Sequence, residues 1–490
     1  MGNSLRLEVC APLGNKSCLS AGRTSINTRP LILGICMVFA ILAPATIAVA
    51  QESAPATAEI QMVQPSAPSP ATPPIKITLQ DALERARKID PMFLGASLDA
   101  KIAHEDRLQA RNAMLPTITA TSQYLGTQGD GGKISDGRFV TNDGIHIYRD
   151  WGVLRQDLSP ALLMGTGYKR AKAEEALAKA KIEIARRGLT VTVSRNFYAL
   201  VVAQRKVATA QQGLAQANHF MSITQDAERQ GQSPHSDALK AEIQARIQQQ
   251  AFDEARLALE DARLNLAVLL FPKFDENFTV VDDLDSAQAL PSFSEVQAMA
   301  EKENPDLRVA TQTLKASSYD LTSAKTAFLP TLTVETDYGI EANCFALRCA
   351  RSAFPEVGPV PNLGYFLTAA LNLPVWDWGT LRSKLHQARY KEQQAKTQLS
   401  QTQRQLVAQL YAAYNEAAIA RASIARTQHT ADLAAESLRL TNLRYTGGVS
   451  PATEVVDAEN MLVQAKNSYI DAEARYRAAL ANLQTLTGNF

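Results

Sequence analysis

The chain has 490 residues, with 50 Lys and Arg against 49 Asp and Glu, for a formal charge of +1. That balance leaves no basic footprint for a nucleic acid partner, and aromatics at 6% within 46% hydrophobic residues are sparse for a large globular enzyme. From residue 51 onward no apolar run is long enough for a transmembrane helix.

The N-terminus comes first. Arg6, Lys16, Arg23 and Arg29 precede an apolar stretch from Leu31 to Ala50 that closes on Ala48-Val49-Ala50. Basic, then apolar, then A-x-A is the layout of a secretory signal peptide over 1–50. A single anchoring helix is the alternative, and Pro44 with the small-residue ending favours cleavage. Bulky Ile35 before Cys36 argues against lipid attachment there. Cleavage removes three of the five cysteines and leaves Cys344 and Cys349. Residues 51–76, rich in Pro, Ala and Ser, read as a flexible linker.

Beyond the linker the chain repeats itself. The segment from Leu79 aligns without a gap on the segment from Phe293, at an offset of 214. Asp90-Pro91 matches Asn304-Pro305, Leu115-Pro116-Thr117 matches Leu329-Pro330-Thr331, and Tyr124 matches Tyr338. By Ser233-Pro234 and Ser450-Pro451 the offset is 217. Two units follow, 77–290 and 291–490.

Each unit runs through the same elements. In the first, helices are expected at about 91–114, 162–229 and 234–268, with strands at about 116–126 and 150–159. In the second, helices are expected at about 305–328, 380–446 and 451–485, with strands at about 330–340 and 364–373. Ile118, Ala120, Ser122 and Tyr124 share one strand face and Thr117, Thr119 and Thr121 the other. Leu332, Val334, Thr336 and Tyr338 repeat that pattern. Such alternation over about ten residues suits a transmembrane barrel with a wet lumen, and equally a half-buried soluble strand. Trp376 and Trp378 follow Pro374, where an aromatic belt at a membrane interface would stand. In the long helices Val193, Leu200, Val207, Leu214 and Met221 recur every seven residues beside Ala203, Ala210 and Ala217. The second copy has Leu410, Ala417, Ile424, Ala431, Leu438 and Tyr445, a coiled-coil pattern with close helix spacing. Gly-rich turns at Gln230–Pro234 and Thr446–Pro451 end these helices and return the chain.

Four strands cannot close a membrane barrel, which needs at least about eight, and an open edge in lipid is excluded. If the strands enter a membrane, several protomers share one barrel, with their helices in a tube beneath it.

This order, given twice, resembles the TolC family of outer-membrane efflux proteins. LRYTGGVSPATEVVDAENMLVQAKNSYIDAEARYRAALANLQTLTG (443–488) is similar to that family's closing segment, and AERQGQSPHSDALKAE (227–242) to its counterpart in the first repeat. The resemblance spans roughly residues 77–488. It implies a mixed α and β membrane protein: a homotrimer with a 12-stranded outer-membrane β-barrel, four strands per protomer, continued by a periplasmic α-helical coiled-coil barrel. A small equatorial domain would combine residues 77–90, 271–304 and the C-terminal end. It further implies a passive exit duct for efflux or type I secretion, in outer-membrane lipid and reaching into the periplasm. An adaptor (membrane fusion) protein would open its tip and an inner-membrane pump would energise it.

The resemblance also suggests which residues matter. Glu454 and Asp457, three apart on one helix face, match the acidic positions of the family's periplasmic constriction, though first-turn acids also suit the helix dipole. Tyr445 and Asp237 match a tip latch, with Ser450 opposite Ser236 where the family's second latch uses an arginine. Cys344 and Cys349 fall in a loop that would face outside the cell, where a disulfide is expected over the alternatives of free thiols or a metal pair. No catalytic motif, metal-ligand spacing or cofactor loop is found, and the six histidines are scattered. The competing reading is a periplasmic coiled-coil adaptor or a structural protein without channel activity.

Overall fold

The computed structural model describes residues 74–126, 146–272, 277–285, 289–342, 345–351 and 359–488. All of them belong to one compact unit, Val63–Phe490. The signal peptide, linker residues 51–73 and Cys344 lie outside the described residues, as does the side chain of Cys349, and the expected disulfide with them.

The first half opens with β1 (Ile75–Ile77), α1 (Leu79–Ile89) and α2 (Pro91–Asn112). Asp90 separates the two helices because its side chain accepts from Phe93 N–H at 2.6 Å while Pro91 starts the next helix. A proline at that position sacrifices no intrahelical bond. Two strands follow, β2 (Thr117–Gly126) and β3 (His146–Leu158), then the short α3 (Pro160–Leu163), α4 (Thr166–Arg229) and α5 (His235–Leu270).

The second half repeats the order with β4 (Phe278–Val280), α6 (Phe293–Glu303), α7 (Pro305–Thr326), β5 (Thr331–Ala342) and β6 (Arg348–Arg351). It ends with β7 (Pro359–Pro361), β8 (Leu363–Asn372), α8 (Thr380–Thr446) and α9 (Ala452–Thr487). Asn304 caps α7 as Asp90 caps α2, accepting from Leu307 N–H at 3.0 Å. The long helices have 64 and 67 residues, about 100 Å each at 1.5 Å per residue.

Packing follows the small-residue rows. Both α2 and α5 lie along α4, and α7 and α9 lie along α8, while α4 also meets α7 and α9. Ala203, Ala210, Ala217, Ala417 and Ala420 are buried at these contacts. Gly213 marks a close approach, since a Cβ there would stand 3.1 Å from Gln248 Oε1 and 3.2 Å from Val463 Cγ2. At the far turns Gly231 and Gly448 both adopt φ +69°, a left-handed conformation that a side chain would strain.

The main sheet runs β2-β3-β5-β8, antiparallel throughout. Its register puts Ile118, Leu154, Thr336 and Leu367 across one row of one face, with Tyr124, Tyr338, Tyr365 and Leu371 on that same face. The opposite face carries Thr119, Thr121, Arg149, Arg155, Asp157, Glu335 and Glu341. One face is therefore largely apolar and the other largely polar, with β2 and β8 left as open edges.

Two small features depart from the expectation. Ile75 and Lys76, read as the end of the linker, begin β1, which pairs in parallel with β4. A three-residue strand whose partner is some 200 residues away leaves no local alternation to read. β3 also begins at His146 rather than near residue 150.

Candidate functional site

The turn between α8 and α9 brings the acidic pair to the end of a hairpin. Glu454 and Asp457 both lie in the first turns of α9 and are exposed. Glu454 is not free. Arg444, on the last turn of α8, places Nη1 3.4 Å from Glu454 Oε2, and the Ser450 hydroxyl donates to the same oxygen. Both members of the pair are about half exposed, so the attraction is worth roughly 0.5 kcal/mol. Among the described residues Asp457 has no ion-pair partner. Ser450 is buried beneath the turn and Pro451 is the N-cap residue of α9.

The latch residues take other partners within the protomer. Asp237 lies 3.4 Å from Lys240 Nζ on its own helix. Tyr445 packs edge-on against Phe220 of α4, with ring centroids 5.1 Å apart. Ser236 is exposed beside them. The first hairpin has its own clasp, His235 Nδ1 to Glu228 Oε1 at 2.6 Å.

Three residues that no motif marked stand out in the structure. Glu459, two residues beyond Asp457 and on the opposite face of α9, is 5% exposed, and its Oε2 has no hydrogen-bond partner among the described residues. Burial alone pushes its carboxyl up to about 7. Arg205 of α4 gathers Asp282, Asp285 and Glu473, at 2.5, 3.0 and 2.8 Å, and so ties the segment after β4 to α4 and α9. Two turns earlier on the same face of α4, Tyr198 is pushed up to about 12, chiefly by burial. The third is Arg444. Its only signal in the sequence was a position one turn before Gly447-Gly448.

At the opposite end of the helices Trp376 and Trp378 are 76% and 88% exposed, edge-on at 5.7 Å. Asp377 between them caps α8, accepting from Leu381 N–H at 2.5 Å and Gly379 N–H at 3.0 Å. The polar face of the sheet is laced across strands by Arg149–Glu341 at 2.8 Å and Arg155–Glu335 at 3.7 Å. Among the described residues no cluster of three or more His, Cys, Asp or Glu could hold a metal, and no helix is long and apolar enough to cross a membrane.

The sequence pattern of the outer membrane efflux protein family matches residues 297–489. The pyoverdine export outer membrane protein OpmQ of Pseudomonas putida is 22% identical over 310 residues, 61% of this chain and 62% of that protein. The alkaline protease secretion protein AprF of Pseudomonas aeruginosa is 20% identical over 419 residues, 84% of each chain. The solved structure of the outer membrane protein VceC from Vibrio cholerae superposes with a TM-score of 0.70 at 17% identity, over 84% of this chain and 96% of that one.

Over residues 297–489 the chain is thus similar to the outer membrane efflux protein family. Its first-repeat half, which the family pattern leaves unmatched, is covered by the AprF alignment and the VceC superposition. The fold of the chain is thus a TolC-like one, a bundle of long helices continued by an antiparallel sheet. The OpmQ alignment spans less than two thirds of that protein's own length.

Proposed function

We propose that the chain is the outer-membrane exit duct of a tripartite efflux or type I secretion assembly. Three copies join β2 edges to β8 edges into a 12-stranded barrel, and their helices form a tube through the periplasm. The single observation that carries this reading is the sheet. One face is apolar, the other is polar and crossed by ion pairs, and two open edges need partners before the sheet can stand in lipid. Trp376 and Trp378 then sit at the periplasmic interface of the membrane. A periplasmic adaptor docks at the tip and opens it, an inner-membrane pump supplies the energy, and the duct itself catalyses nothing.

At the closed tip three copies of Glu454 and Asp457 form two acidic rings, which select and bind cations. Because Arg444 partly compensates Glu454, Asp457 is the stronger of the two rings. Asp237, Ser236, Tyr445 and Ser450 lie at the contacts between hairpins that separate on opening. Ser450 binds Glu454 where the family has a latch arginine, so this tip closes with one charged contact fewer. The adaptor reading is disfavoured because a periplasmic adaptor has no use for a sheet with an exposed apolar face.

Single-channel conductance in planar bilayers tests the proposal. Wild type should give a small, cation-selective conductance that millimolar divalent or trivalent cations block. Glu454→Ala/Asp457→Ala should conduct and resist the block. A folded, membrane-extracted oligomer that never conducts would sink the duct. Conductance with an unchanged block in the double variant would remove the acidic rings alone.

A further inference from the structure

The polar face of the sheet holds a carboxylate with one oxygen that no described residue satisfies. Asp337, mid-strand in β5, is 2% exposed, and its Oδ2 has neither a hydrogen-bond partner nor an ion pair. Burying an ionised carboxylate without compensation costs several kcal/mol, so such a group is stable only if something else neutralises it. Arg149, a cation on the same face, is already bound to Glu341 at 2.8 Å.

Asp337 borders a cavity of about 130 Å³, room for roughly four waters at about 30 Å³ each. The cavity exists because of a glycine pair. Gly339 of β5 stands directly across from Gly364 of β8, so two neighbouring strands present bare backbone on the same face. Gly339 is required there: a Cβ would lie 2.0 Å from the Asp150 carbonyl oxygen. Gly364 has open space at its Cβ, so its lack of a side chain serves the cavity and not the packing. The walls are aromatic. Trp151, opposite Gly339, meets Phe366, opposite Asp337, edge-on at 5.5 Å. The protein's own cation already uses this wall, since Arg149 Cζ lies 5.5 Å from the Trp151 ring centroid.

We propose that this cavity binds the head group of an organic cation, a primary ammonium or a guanidinium, with the charge on Asp337 and its first carbons against Trp151 and Phe366. A carboxylate supplies the charge-assisted hydrogen bond, and aromatic faces supply cation–π attraction and apolar cover. A bare metal ion would find Asp337, Asn362, a Glu341 already held by Arg149, and aromatic rings, where it needs several free oxygen ligands. If the polar face lines a duct, as proposed above, the pocket is a way-station for cationic cargo. Binding itself does not depend on conduction.

The fluorescence of Trp151 reports on the pocket. The detergent-purified oligomer is titrated with n-butylammonium and with methylguanidinium chloride, against sodium chloride at equal ionic strength. Wild type should show a saturable change with the organic cations only. Trp151→Phe, which leaves Trp376 and Trp378, should lose the signal. Asp337→Asn, of the same shape, should weaken binding by about ten-fold or more. Gly364→Leu, which fills the cavity and keeps the carboxylate, should abolish it. No saturable response in wild type, an equal response to sodium, or undiminished binding in both pocket variants would overturn the site. Any of these would leave the duct untouched, because the conductance experiment decides that separately.

Discussion

Glu459 is where one residue sets a property of the molecule. Its folded carboxyl is pushed up to about 7 because burial disfavours the charge and no neighbour offsets it, against about 4.5 for an ordinary glutamate. Between those two values the folded protein holds a proton that the unfolded chain has lost, so the stability this group provides is complete below about pH 4.5 and falls as pH rises to about 7. The full loss is roughly 3 kcal/mol. Glu459→Gln, which keeps the shape and removes the titration, should raise the melting temperature at pH 8 by a few degrees and leave pH 5 nearly unchanged. Thermal unfolding of both proteins at the two pH values checks it; an equal pH dependence would mean that Glu459 is already compensated. Nothing near Glu459 in the sequence announces this. It stands in AENMLV, where a charged residue on a helix normally faces water, and its burial arises from α9 packing on both α4 and α8. Glu454 and Asp457, by contrast, are proposed from spacing and resemblance, while the Arg444 contact that distinguishes them comes only from the fold of the turn.

Between elements, the decisive contact is Arg205. Its guanidinium binds three carboxylates from two separate segments, one of them the nearly buried Glu473, and Arg477 adds a bond to the Asp283 carbonyl. Residues 281–285 have no regular structure of their own and are held to the long helices by these bonds. Arg205→Ala should leave Glu473 buried without its cation and cost about 2 to 4 kcal/mol. It should also release the 281–285 segment, so limited proteolysis should cut there faster than in wild type while the long helices stay intact. Cleavage at the wild-type rate would show that the strand pair β1 and β4 holds the segment unaided. The element pattern itself was largely readable, because period two and period seven are strong over ten-residue strands and sixty-residue helices. The caps at Asp90 and Asn304, which fix two helix starts, are a finding of the structure. What escaped were three-residue strands and the β6–β7 pair, whose partners are set by distance in space and not by local sequence.

For the whole molecule the proposed assembly turns on the open edges β2 and β8. In an edge strand successive amides point alternately toward the neighbour and away from it. Of Ala369 and Ala370 in β8, one therefore donates toward β5 and the other toward the open side. Proline removes the amide hydrogen, so Ala369→Pro and Ala370→Pro should part company. The variant that strips the β5-facing amide should damage the sheet and fail to be extracted as a folded protein. Its neighbour should keep the sheet and the helices, since proline is tolerated on the free side of an edge, yet lose the hydrogen bonds that the next protomer would supply. Protein mass in detergent reads the result. Wild type should measure three times the mature chain, and the edge variant should measure one, with helical circular dichroism retained in both. Should both variants remain at the wild-type mass, β8 would not be the joint between protomers. A wild-type particle of one copy would leave four strands with no way to close, and the barrel would have to be abandoned.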